Sequence, residues 1–77
     1  GTALLDGPGS PADFAARLRP ALEAVGLRAG TARPAEGPRG ALQVPLRHRS
    51  GALAGALRVA PAEAGSRALL SLHPAGR

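Results

Sequence analysis

Leu42-Gln43-Val44-Pro45-Leu46-Arg47-His48-Arg49-Ser50-Gly51-Ala52-Leu53-Ala54-Gly55-Ala56-Leu57-Arg58-Val59 is the stretch on which the fold turns. Leu42, Val44, Leu46 and His48 alternate with Gln43, Pro45, Arg47 and Arg49, and after Ser50-Gly51 the residues Leu53, Gly55, Leu57 and Val59 alternate with small residues and Arg58. A period of two on both sides of a turn dipeptide predicts a β-hairpin. Folding the chain about positions 50 and 51 sets Leu42 against Val59, Val44 against Leu57, Leu46 against Gly55 and His48 against Leu53, so that the large aliphatic side chains share one face. Pro45 selects the turn. A two-residue turn would put this donor-less residue in a hydrogen-bonded pair, whereas a four-residue turn at 49–52 keeps the register and points the missing N–H outward. The reading is therefore a four-residue turn with an edge strand at 41–48.

Working outward, the clearest other element is a helix over 11–25. Ser10 suits the cap, Pro11 the first helical position, and Asp13 places negative charge at the positive end of the dipole. Phe14, Leu18, Ala21, Leu22 and Val25 recur at helical spacing, Asp13/Arg17 and Arg19/Glu23 are spaced for i,i+4 pairs, and Gly26-Leu27 reads as a left-handed stop with a hydrophobic clasp. Pro20 lies inside the helix and predicts a kink or a break. Thr2–Asp6 reads as a short strand ended by Gly7-Pro8-Gly9, and Leu27–Thr31 as a weak strand that stops at Pro34. Residues 34–40 read as loop and 61–65 as a turn or one helical turn. Ala68, Leu70 and Leu72 alternate with Leu69, Ser71 and His73, the pattern of a last strand with a short helix competing.

These elements predict a single small α+β domain over 1–77: one kinked helix packed on a small antiparallel sheet of four to five strands, in the order β-α-β-β-β-β, with a ferredoxin-like variant if the last segment were helical. The length allows one core only, and a chain of this size buries about 60% of its unfolded surface, so its stability is marginal. The chain opens at Gly1 without Met and is read as excised from a larger protein. With no cysteine, disulfides and thiolate metal sites are excluded. No apolar run is long enough to span a membrane.

The formal net charge is +5, and every basic side chain except the two histidines is arginine. The accompanying absence of Ile, Met, Asn, Tyr and Trp points to a G/C-rich genome rather than to arginine-specific chemistry. Residues 1–27 are net negative by one charge and residues 28–77 net positive by six. Of the later arginines, Arg33, Arg39, Arg47, Arg49, Arg58 and Arg67 carry most weight. Arg47, Arg49 and Arg58 are expected on the outer face of the hairpin as an anion- or partner-binding surface, against the plainer reading of a solvated sheet face. Stacking aromatics and base-reading amides are scarce, which disfavours sequence-specific nucleic-acid recognition.

Asp6-Gly7-Pro8-Gly9-Ser10, between strand and helix, could gather backbone donors around an anion, but it lacks the glycine spacing and lysine of phosphate loops, and a plain turn with a helix cap accounts for it. His48, expected on the inward face at the hairpin end, and His73 have no carboxylate or nucleophile beside them in sequence. The five carboxylates are scattered. No catalytic residue, metal ligand or cofactor is assigned, and the chain is read as a non-enzyme. The first strand, helix and second strand resemble, in the stretch Ala12 to Gly40, the small α+β domains of bacterial type II secretion and type IV pilus assembly-platform proteins, while Pro20 and the 34–40 loop depart from that pattern. The resemblance implies an envelope assembly component. The resulting expectation is a protein-protein interaction or assembly module that pairs with a protein partner or forms a homo-oligomer such as a dimer, through a sheet edge or the basic hairpin face. The alternative is binding of an anionic ligand or nucleic acid, a polyanion, through the arginines.

Overall fold

Residues 42–59 form antiparallel strands, β4 (Leu42–His48) and β5 (Leu53–Ala62), joined by four residues at 49–52. A computed structural model of the chain describes residues 1–73. Leu42 opposes Val59, Val44 opposes Leu57 and Leu46 opposes Gly55, the register that the alternation predicts. Beyond Leu46 the register slips, and Leu53 faces Arg47 instead of His48. Ala54 is the extra residue of this β-bulge, and it takes the buried position while Leu53 stays exposed. His48 lies opposite Leu27 instead and is exposed, so it does not join the core.

The order is β1 (Thr2–Gly7), α1 (Pro11–Ala24), β2 (Leu27–Ala29), β3 (Arg33–Pro34), β4, β5 and β6 (Gly65–Leu72). This is an α+β fold in which one helix packs on a six-stranded antiparallel sheet, ordered β1-β6-β5-β4-β2 with β3 also pairing β4. The expected four or five strands become six because residues 27–34 make two short strands. Residues 65–72 form strand β6, so among the described residues there is no second helix and the ferredoxin-like variant does not arise.

Strand β4 is not an edge, which corrects the reading of Pro45. Pro45 opposes Ala56 on β5, and its carbonyl accepts a 2.8 Å bond from the Gly30 N–H on the other side. The donor-less nitrogen faces that same side, as predicted, but a neighbour is present there. The neighbour accommodates it by breaking: Ala29 pairs with Leu46, Arg33 pairs with Gln43, and residues 30–32 between them leave the ladder. Likewise the Pro61–Gly65 turn is tighter than expected. β5 runs through Pro61 to Ala62, and only Glu63 and Ala64 connect it to β6.

Helix α1 starts as the sequence dictates. The Ser10 side chain accepts the Asp13 N–H at 3.2 Å, and Pro11 occupies the first turn. The helix is one element through Pro20 rather than two. Pro20 and Ala16, whose carbonyl loses its usual partner, are both exposed, so water can replace the bond. Gly26, at φ +87°, ends the helix with its N–H on the Glu23 carbonyl at 3.0 Å. Val25, expected on the apolar face, has left the helical conformation and is exposed.

The core lies between α1 and one face of the sheet, where Phe14 and Leu22 meet Leu27, Val44, Leu46, Leu57, Val59 and Ala68. Ser66 is the one buried polar residue among those described, and its hydroxyl donates to the Gly9 carbonyl at 2.8 Å. That bond fastens the start of β6 to the turn between β1 and α1. Ser66→Ala leaves the Gly9 carbonyl unsatisfied and is expected to cost about 1–2 kcal/mol, read as a lower urea midpoint at unchanged slope. An unchanged midpoint would show that the Gly9 carbonyl finds another donor.

Candidate interaction face

The second face of the sheet carries no helix. Antiparallel partners point the same way, so the register defines which side chains share that face. They are Thr2, Leu4 and Asp6 of β1, Arg67, Leu69 and Ser71 of β6, Ala56, Arg58 and Ala60 of β5, and Gln43, Pro45 and Arg47 of β4, with Arg28 and Arg33 on the broken outer strand. Alternation in a half-solvated sheet calls for polar residues here, yet aliphatic groups run through its middle. Leu4 is 65% exposed and pairs directly with Leu69, which is 37% exposed; Leu53 is 53% exposed beside Pro45 and Ala56.

The cations surround this apolar strip and are held in different ways. Arg67 grips Asp6 with two bonds, Nε to Oδ1 at 2.7 Å and a terminal nitrogen to Oδ2 at 3.4 Å. The hydrogen bond and charge of Arg67 hold the Asp6 carboxyl below its ordinary range, and Asp6 in turn raises the Arg67 guanidinium. Both side chains are exposed, so the pair orders the surface more than it stabilises the fold.

The three arginines singled out by sequence do not converge. Arg47 bends back to the Gly51 carbonyl at 2.9 Å, clasping its own turn, while Arg58 donates to the Glu36 carbonyl and anchors the 35–41 loop. Arg49 sits in the turn at 49–52, where it lines a groove with Glu23, Gly26, Leu27 and Arg28. Arg28 is the residue that sequence reasoning passes over. It stands directly opposite Arg47 across β2 and β4, an unfavourable like-charge pairing. Its position between Leu27 and Ala29 carries the signal, since a residue between two inward-facing neighbours points outward.

The helix arginines also differ from expectation. Neither Asp13/Arg17 nor Arg19/Glu23 pairs; Arg17 donates to the Pro8 carbonyl and lies 5.6 Å from the centre of the Phe14 ring, and Arg19 donates to the carbonyls of Ala29 at 2.8 Å and Gly30 at 3.4 Å. The Asp6–Ser10 segment acts as turn and cap: the Asp13 N–H is taken by Ser10, and the Pro8 and Gly9 carbonyls are taken by Arg17 and Ser66. No protein family, curated protein or solved structure matches this chain. Among the described residues, no helix is long and apolar enough to cross a membrane.

Proposed function

We propose that this chain is a protein-interaction module without catalytic chemistry of its own, and that it engages a protein partner through the helix-free side of its sheet. The observation that supports this reading is that Leu4, Leu69 and Leu53 are exposed on this face beside half-buried Ala56, with Arg58 and Arg67 flanking Leu69, where a solvated sheet would carry polar residues throughout. A photo-activated cross-linking residue placed at Ala56 or Leu69 in the producing cells is expected to capture protein, while the same group at exposed Ala16 on α1 captures none. Absence of adducts at the sheet positions, or equal labelling at all three, would overturn the reading.

A second reading is favoured by one specific observation, the Arg28–Arg47 pairing with Arg49 at the same end of the sheet. Three guanidinium groups without a bound carboxylate would suit a polyanion such as heparin or single-stranded nucleic acid. Binding that weakens steeply with salt and disappears in the Arg28→Ala/Arg47→Ala/Arg49→Ala chain would support it, and absence of binding at low salt would end it.

A further inference from the structure

We infer that the partner of strand β1 is β1 of a second copy, paired antiparallel about a two-fold axis through Leu4 to make one continuous sheet across a homodimer. This rests on the protein-interaction reading and names the occupant of one edge.

The sheet has two edges of opposite character. The β2/β3 edge is interrupted at residues 30–32 and ends in Pro34, so it offers no continuous ladder. The β1 edge is six residues long, without proline, bulge or arginine, and with one charged residue, Asp6. Its free hydrogen-bonding groups can be identified. The Leu72 N–H donates to the Gly1 carbonyl at 2.9 Å in the same register that sets Ala3 against Leu70 and Leu5 against Ala68. Odd-numbered residues of β1 therefore bond to β6, and by the alternation of an antiparallel ladder Thr2, Leu4 and Asp6 turn their N–H and C=O groups to the open edge.

Only one self-pairing uses all three. Setting Leu4 against Leu4 of the second copy sets Thr2 against Asp6 and Asp6 against Thr2, and each of these three pairs exchanges two main-chain bonds. A shift by two residues in one direction puts Leu4 against Asp6; in the other it leaves Asp6 without a partner within the strand. A shift that centres the axis on Asp6 sets carboxylate against carboxylate. In the Leu4-centred register the most exposed leucine of the sheet face meets its own copy on one side, and Leu5, 38% exposed, meets Ala3 on the other. Because the opposite edge is broken, the assembly closes at two copies instead of growing into a fibre.

The chain has no cysteine, so a single introduced thiol reports on register. In Leu4→Cys the two Cα atoms would lie about 5.5 Å apart, within disulfide range, whereas in Thr2→Cys they would be more than about 13 Å apart. Mild oxidation of the 77-residue chain is expected to give a covalent dimer of the Leu4→Cys variant and none of the Thr2→Cys variant. Sedimentation from about 10 µM to about 1 mM, the range in which small interfaces associate, is expected to show a reversible dimer. Leu4→Pro removes an edge-facing donor and the exposed leucine side chain but no bond to β6, and should keep the native circular dichroism while weakening dimerisation by at least about tenfold. A chain that remains monomeric at the highest concentration, or equal cross-linking of the Thr2→Cys and Leu4→Cys variants, overturns the β1 pairing. If Ala56 or Leu69 still captures a different protein in that case, the interaction-module reading survives and self-pairing alone is lost.

Discussion

Gly55→Ala is expected to abolish cooperative unfolding or to lower the stability by about 3 kcal/mol or more, the range reached when a core cannot relax around added atoms. A Cβ at Gly55 would lie 1.9 Å from the Ser71 carbonyl oxygen and 2.9 Å from the Leu72 Cα, both main-chain atoms of β6. No rotamer change can relieve contact with backbone, so β5 and β6 must separate where the bulge at Ala54 already bends β5. Gly26→Ala provides the control. Gly26 has a left-handed φ of +87° but nothing within 4 Å of the added carbon, so its cost is conformational only, about 1 kcal/mol. Urea melts followed by circular dichroism separate the two. Equal losses would mean that the strands are looser at Gly55 than their spacing indicates.

Leu46→Ala ranks second. Leu46 is fully buried, stands opposite Gly55, and packs in the cluster that joins α1 to the sheet. Truncating a buried leucine costs about 2–5 kcal/mol, against a total of about 4–12 kcal/mol for a domain of this length. Gly55 has no side chain to collapse into the space, which places the expected loss toward the upper end of that range. The measurement is the shift in thermal or urea midpoint, with Leu53→Ala, truncated on the exposed face, expected to move it little. A small shift for Leu46→Ala would show that α1 sinks into the vacated volume.

How much of this is legible in the sequence depends on whether neighbouring residues differ enough to force a choice. Leu42, Val44, Leu57 and Val59 are bulky residues alternating with polar or small ones, so a one-residue slip would expose them all, and their register is readable. Ala54 and Gly55 are both small, and either could sit opposite Leu46, which is why the bulge and the outward turn of Leu53 are not. Pro45 reads correctly as turning its donor-less nitrogen away from β5. The error lies in equating a missing donor with a sheet edge, when a break of three residues in the neighbouring strand serves as well. The arginine surface is read from composition and alternation, which place a side chain on a face but do not say what it binds. Backbone carbonyls at Glu36 and Gly51 draw Arg58 and Arg47 apart, and those carbonyls belong to turns whose path no pattern in the sequence specifies.

The way β1 closes against β6 also bears on how the chain is made. β4, β5 and β6 follow one another directly, so each can zip onto its predecessor as it emerges during synthesis. β1 leaves the ribosome before them, yet among the described residues its one partner strand is β6, the last of them to appear. β1 therefore waits unpartnered while the intervening strands are made, and the sheet is completed only once β6 has been released.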